Sequence, residues 1–298
     1  GLPPDSVVDT EENILKDSQR LIERYHDAKP GARVQIVLAP CSPFTVTGEL
    51  MKQSAVLARQ YGVHLHTHLA ETQDEQAFCE QLFGYRPLPY MQSLDWVGED
   101  VWFAHSVHIN KEEVEVFKQT GCGVAHCPSS NMRLASGIAP LWEYLAAGVK
   151  VGLGVDGSAS NDSSHLLAEA RQAMLLARVR AGIEGASLSG SEAPFLTARQ
   201  ALELATLGGA AVLGRSDIGS LEVGKCADFI AINLNRLDYA GALHDPLAAL
   251  LFCNPVGVDY NVVGGKFIVK EGQLQTLDLQ THIRKHNQAA ERLLKGEN

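Results

Sequence analysis

Residues 62–72, GVHLHTHLAET, place three alternating histidines and then a carboxylate after an apolar approach. This pattern predicts a strand over 63–68 that ends in a loop. Because side chains alternate between the two faces of a strand, His64, His66 and His68 share one face. Three imidazoles on one face, with Glu71 three residues past the last of them, indicate a site for metal binding and proton transfer.

Four more apolar segments alternate with helical patterns around this strand. The predicted strands cover 34–39, 101–105, 123–127 and 149–155, and the predicted helices cover 8–28, 47–61, 73–83, 111–119, 139–147 and 165–181. Near-continuous apolar strands between helices predict a parallel sheet covered on both faces, which is the α/β class. Five strand–helix units are too few for a closed eight-stranded barrel, so either the sheet is open or three strands are missing from its front.

The predicted strands end in residues that can do chemistry. Besides His68, these ends carry His105 and Asp156. Functional groups at the carboxyl ends of parallel strands are typical of the active face of a β/α barrel, or of the crevice of an open sheet. A lone strand-end histidine is more often a buried core residue, and a lone aspartate more often caps a helix. Their occurrence on several strands favours a catalytic zinc or iron site.

Two neighbouring patterns invite other interpretations. His66 and His68 resemble a paired ligand motif, but only His68 lies at the strand end, so His66 is interpreted as a supporting or pocket residue. His126 and Cys127 resemble a nucleophile pair, but adjacent strand residues point to opposite faces. The segment 128–131, PSSN, predicts a turn that lines the pocket.

The pattern changes after a predicted helix over 197–213. A strand is predicted over 227–232, and Gly264-Gly265 predicts a hairpin between strands 258–263 and 266–269. We therefore expect a partial barrel over 1–215, part of a small β-sandwich domain over 216–275, and a segment 276–298 whose helix packs back on the barrel.

The charge and cysteine content of the sequence indicate which partners and which compartment to expect. The formal net charge is -10 and there is no Lys/Arg-rich run, which argues against nucleic acid and anionic membrane surfaces. The six cysteines form no C-x-x-C pair, which predicts free thiols in a reducing compartment and hence a cytoplasmic protein. No apolar run reaches the roughly 18 residues of a membrane span.

Four motifs resemble those of the amidohydrolase superfamily, in its branch of aminohydrolases acting on purines, pterins and triazines. They are HLAET at 68–72, AHSVH at 104–108, HCPSSN at 126–131 and GVDG at 154–157. The resemblance implies a (β/α)8 barrel of which this chain carries strands four to eight, plus part of a small β-sandwich. GLPPD at 1–5 and LAPCSPF at 38–44 are similar to 8-oxoguanine deaminases, which implies hydrolysis of 8-oxoguanine to urate and ammonia.

The resemblance also implies roles for individual residues. His68 and Asp156 would hold one divalent metal, zinc or alternatively iron, together with a His-x-His pair expected upstream of this chain. Asp156 would accept a proton from the attacking water, Glu71 would protonate the substrate ring, and His105 would position the water. Candidate substrate contacts are Cys41, Ser42, His66, Ser129, Asn131 and Asn161.

Several alternatives stay open at this point. The substrate could be a triazine of the hydroxyatrazine type or a pterin instead of a purine. The chain could also be a non-catalytic paralogue that binds a purine, or an inactive fragment, because we expect it to be the C-terminal two thirds of an enzyme. The partner expected in each catalytic case is a small heterocycle, and the resemblance implies a homo-oligomer.

Overall fold

The structure is a computed structural model that describes residues 8–186, 195–253 and 257–296. Its strands are β1 (Val37–Leu38), β2 (His64–Leu69), β3 (Val101–His105), β4 (Gly123–His126), β5 (Lys150–Leu153), β6 (Phe229–Ala231), β7 (Tyr260–Val263), β8 (Lys266–Lys270) and β9 (Gln273–Leu274). Its α-helices are α1 (Glu11–Tyr25), α2 (Gly48–Tyr61), α3 (Gln73–Phe83), α4 (Pro87–Ser93), α5 (Lys111–Thr120), α6 (Pro128–Arg133), α7 (Leu141–Ala147), α8 (Leu166–Ile183), α9 (Ala198–Glu203), α10 (Gly209–Val212), α11 (Pro246–Phe252) and α12 (Leu279–Lys295).

The first five strands form one parallel sheet in chain order, β1 to β5. His68 is opposite Ala104, and Ala104 is opposite Ala125, so the carboxyl ends of β2, β3 and β4 lie at one edge. Each strand reaches the next through at least one helix, as in successive β/α units of a barrel. The predicted α/β class with five strand–helix units is confirmed.

The alternation predicted for β2 is confirmed residue by residue. Leu65, Thr67 and Leu69 are buried, whereas the three histidines between them are half-buried. Leu65 and Leu69 pack into the main core with Phe103 and Val124 of the neighbouring strands. The histidines consequently occupy the opposite face of the sheet, away from this core.

Helix boundaries follow the capping residues. Thr47 and Thr72 accept hydrogen bonds from the third backbone N–H of α2 and α3. Each such cap stabilises a helix by about 1 kcal/mol, and this fixes where each strand-to-helix loop ends. The predicted bounds of α2 and α3 are accordingly within a residue of the observed ones.

Three predicted elements differ from the structure. Residues 128–131 begin the helix α6 instead of forming a turn, because Pro128 occupies the first helical position, where a missing N–H costs nothing. The strand predicted over 34–39 is only two residues long. The helix predicted over 197–213 contains a π-helical turn at Leu204–Gly208, where a Cβ on Gly208 would lie 2.1 Å from the carbonyl oxygen of Val151.

Strands β6 to β9 form a second, antiparallel sheet with the hairpin predicted at Gly264-Gly265. No residue of α12 is buried. The domain boundaries and the packing of this last helix on the barrel stay predictions. In the described ranges, none of the helices is both long and apolar enough to cross a membrane.

Candidate metal and catalytic site

Three predicted site residues meet at the carboxyl ends of the parallel strands. His68, His105 and Asp156 each present a ligand atom, and these atoms all lie within 4.8 Å of one another. The imidazole rings of His68 and His105 stack with centroids 5.4 Å apart. The imidazole of His68 and the carboxylate of Asp156 are ligand types that suit zinc, so these two residues fit the predicted metal, with His105 beside them.

The ring of His68 is oriented by the loop after β1. Its Nδ1 donates a hydrogen bond to the carbonyl oxygen of Cys41 at 2.6 Å, which leaves Nε2 available to a metal. Hydrogen bonds with the Cys41 thiol and carbonyl raise the pKa of His68 to about 9, although burial opposes the shift.

The carboxylate of Asp156 is held by three hydrogen bonds. The hydroxyl of Ser130 donates to Oδ2 at 2.6 Å, that of Ser160 donates to the same oxygen at 3.1 Å, and the backbone N–H of Gly157 donates to Oδ1 at 2.8 Å. Burial would raise the pKa of Asp156, but the bonds from Ser130 and Gly157 outweigh it, and the pKa is lowered. This residue is therefore a fixed carboxylate.

His105 is almost fully buried, and its ring is held in one orientation. Its Nδ1 donates to the side-chain oxygen of Asn131 at 2.8 Å, which directs Nε2 into the site. That nitrogen is 3.7 Å from Oε2 of Glu71 and 3.8 Å from Oδ2 of Asp156. A ring in this position can accept a hydrogen bond from a water placed between the two carboxylates.

Glu71 lies in the loop between β2 and α3, and its side chain is half-buried. Its Oε1 accepts a hydrogen bond of 3.3 Å from the hydroxyl of Ser136. The other oxygen is the one that faces His105. One carboxylate on each side of His105 gives the site two groups for proton transfer.

The strand ends around this site adopt a strained backbone conformation. Ala70, His105, Ser106 and Asp156 all have positive φ, between 47° and 68°. A left-handed conformation costs an L-residue of this kind about 1 kcal/mol, and such residues concentrate where a site requires a particular direction of the chain. Here the strained residues lie just after β2, at the end of β3 and three residues after β5, where the chain turns at the sheet edge.

The structure places the remaining predicted residues around this cluster. His66 stacks on Trp102 with ring centroids 5.4 Å apart, and burial lowers its pKa to about 4. Cys41 is exposed, whereas Ser42 is buried with its hydroxyl 2.8 Å from that of Thr45.

Other candidate substrate contacts lie in the loops after β4 and β5. Ser129 is half-buried, and its backbone N–H donates to the buried carboxylate of Glu169. Asn161 donates its amide to the same carboxylate and to the carbonyl oxygen of Val155. Asn131 contacts His105, as described above. Their roles as substrate contacts stay predictions.

Several residues of the site were not predicted from the sequence. Ser130 and Ser160 orient Asp156, and Ser136 contacts Glu71. Ser130 belongs to the recognised HCPSSN motif, which could have indicated it. Ser136 carries no sequence signal, because it reaches Glu71 across 65 residues of chain.

The chain belongs to the amidohydrolase family, whose family model matches residues 2–268. Its sequence is 51% identical over 296 residues to the 8-oxoguanine deaminase of Pseudomonas aeruginosa, covering 99% of this chain and 64% of that enzyme. It is also 40% identical to the hydroxydechloroatrazine ethylaminohydrolase of Pseudomonas sp. (strain ADP), over 92% of this chain and 56% of that enzyme. The family resemblance inferred from the motifs is confirmed.

A solved relative agrees with the fold, and its structure contains zinc. The structure superposes on that of the atrazine chlorohydrolase of Arthrobacter aurescens TC1 complexed with zinc, with a TM-score of 0.88 and 34% identity. The match covers 96% of this chain and 61% of that one. This chain thus spans somewhat less than two thirds of the length of each relative named here.

Proposed function

We propose that the protein carrying this chain is a metal-dependent aminohydrolase that converts 8-oxoguanine and water to urate and ammonia. The observation that carries the proposal is the arrangement of Glu71, His105 and Asp156 beside the ligand atom of His68. The 51% identity to an 8-oxoguanine deaminase supports this substrate. The 40% identity to a triazine aminohydrolase supports a triazine as the alternative, and a pterin is the third candidate.

We propose one divalent ion, zinc in preference to iron, held by His68 and Asp156. Two further histidines would come from sequence outside this chain. A bound zinc ion supplies Lewis acidity that lowers the pKa of a coordinated water towards neutrality. The hydrogen bond that orients the ring of His68 and those that hold the carboxylate of Asp156 support this assignment, because both side chains are already directed at the site.

The residues of this chain would then divide the proton transfers between them. Asp156 accepts a proton from the water that attacks the amino-bearing carbon, and the Nε2 lone pair of His105 orients that water. Glu71 donates a proton to the adjacent ring nitrogen, which makes the carbon more electrophilic. Asp156 passes its proton to the amino group, the C–N bond breaks and ammonia leaves, while the remaining hydroxyl proton returns to Glu71.

The proposal also covers the domain boundaries and the cellular compartment of the whole protein. Residues 1–215 would belong to the barrel, 216–275 to the small β-sandwich, and 276–298 to a helix that packs on the barrel. The described cysteines are free thiols, which supports a reducing compartment and a cytoplasmic protein. Residues such as Cys41 and His66 would contact the substrate.

A substrate panel tests the proposed function. The whole protein, loaded with zinc, is assayed for ammonia release from 8-oxoguanine, a hydroxytriazine and a pterin, and the kcat/KM values are compared. The proposal predicts the highest kcat/KM for 8-oxoguanine. A higher kcat/KM for the triazine or the pterin would show that 8-oxoguanine is not the preferred substrate. Binding of a heterocycle without ammonia release would favour the non-catalytic alternative.

A further inference from the structure

Glu75 is the third residue of α3, and its carboxylate does not make the hydrogen bond that is usual for a glutamate at this position. Residues 72–75, TQDE, match the capping-box pattern, in which the third helical residue accepts a hydrogen bond from the N-cap backbone N–H. Thr72 does cap α3, with its hydroxyl accepting from the N–H of Glu75. The carboxylate of Glu75 instead reaches past Thr72 into the turn at the end of β2.

Both oxygens of this carboxylate accept hydrogen bonds from that turn. Oε1 accepts from the backbone N–H of Ala70 at 2.8 Å, and Oε2 accepts from that of Glu71 at 2.9 Å. Glu75 is only 3% exposed. Burial raises its pKa to about 7 even though the two N–H donors oppose the shift. An ionised carboxylate at this position therefore costs free energy.

The turn that Glu75 holds is strained and is fixed from two sides. Ala70 is fully buried with φ at 51°. Its carbonyl oxygen accepts from the N–H groups of Val107 and His108, which follow β3. Glu75 provides the hydrogen bonds on the opposite, N–H side of the same residues. The direction of the chain at Glu71 thus depends on hydrogen bonds from the loop after β3 and from the first turn of α3.

We propose that Glu75 is a positioning residue, which holds the Ala70–Glu71 turn so that the carboxylate of Glu71 faces Nε2 of His105. This inference rests on the proposed function, because it assigns Glu71 the proton transfer described above. Glu75 does not touch the metal ligands or the reacting atoms. Its effect on the reaction passes through the backbone of Glu71.

The chain offers a matched control at the start of α5. Glu113 is also the third helical residue, is 4% exposed, and makes an ordinary capping box with Asn110. Its carboxylate also accepts from Arg86, and none of its hydrogen bonds reaches Glu71. A Glu→Gln change at either position removes one acceptor oxygen from a buried helix start, but only Glu75 accepts hydrogen bonds directly from the Ala70–Glu71 turn. Glu113 is linked to that turn only indirectly, because Arg86 also donates to the carbonyl oxygen of His108.

The experiment compares Glu75→Gln with Glu113→Gln in the whole, zinc-loaded protein. Because the glutamine NH2 would face one of the two N–H donors, we expect Glu75→Gln to lower kcat about ten- to a hundredfold, with KM and zinc content within about twofold of wild type. Glu113→Gln should change kcat by less than about threefold. Amide hydrogen exchange at Ala70 and Glu71 should accelerate at least about tenfold in Glu75→Gln only.

A double variant separates positioning from a general loss of structure. If Glu75 acts through Glu71, adding Glu75→Gln to a Glu71→Gln protein should lower the residual kcat by less than about twofold. A full additional loss in the double variant, equal losses in the two single variants, or unchanged exchange at Ala70 and Glu71 would each overturn the role of Glu75. Absence of ammonia release from the wild-type protein would instead overturn the proposed function itself.

Discussion

His126 gives a prediction whose size follows from its burial. It lies at the end of β4, is 2% exposed, and its Nδ1 has no hydrogen-bond partner. Burial, with a smaller contribution from His105, lowers its pKa to about 4 from an ordinary 6.5. At mildly acidic pH, His126 therefore binds a proton in the unfolded chain but stays neutral in the folded chain.

The sign and the size of the effect on stability follow directly. Because the folded pKa is lowered, stability from His126 is fully present above pH 6.5 and is lost as the pH falls towards 4. At about 1.4 kcal/mol per pKa unit, this residue alone should lower the free energy of unfolding by about 2 kcal/mol at pH 5 and by about 3 kcal/mol at pH 4.

The assay is urea unfolding between pH 4 and pH 7.5, with a chelator present so that metal release does not contribute. Between pH 7.5 and pH 5, the free energy of unfolding of His126→Leu should fall by about 2 kcal/mol less than that of the wild-type protein. His286→Gln, which removes an exposed histidine, serves as the control and should follow the wild-type curve. Identical pH dependence for His126→Leu and wild type would refute the reasoning.

Three further predictions concern the site. Ser130→Ala removes the 2.6 Å hydrogen bond to Asp156 and should lower kcat about tenfold while zinc content, measured by metal analysis, is retained. Asn131→Ala leaves the buried Nδ1 of His105 without its acceptor, and should lower both kcat/KM, at least about tenfold, and the free energy of unfolding, by about 1–3 kcal/mol. Removing metal with a chelator should abolish ammonia release, and zinc should restore it; chelator-resistant activity would contradict the metal site.

The sequence was sufficient for the features that depend on local pattern. Alternation in β2 predicted that His64, His66 and His68 share a face, and the predicted bounds of α2 and α3 lie within a residue of the observed ones. The strand ends then predicted that His68, His105 and Asp156 would meet, because the carboxyl ends of neighbouring parallel strands lie together.

Features that depend on tertiary contacts could not be predicted in the same way. The hydrogen bond between Asn131 and His105 joins residues that are 26 positions apart in the sequence, and the sequence did not predict it. Glu75 lies in a pattern that predicts an ordinary cap, and only the position of the buried turn shows where its carboxylate goes. The left-handed backbone of His105 and Asp156 likewise has no glycine to indicate it.

In the proposed function, Glu71 transfers a proton during deamination at the site beside His68. The most direct test measures urate formation from 8-oxoguanine by the whole, zinc-loaded protein and by its Glu71→Gln variant, which keeps the size of the side chain and loses its proton. The account predicts urate from the wild type, and at least about a hundredfold lower kcat for Glu71→Gln with the same zinc content. Urate formation by Glu71→Gln at a rate near that of the wild type would contradict it.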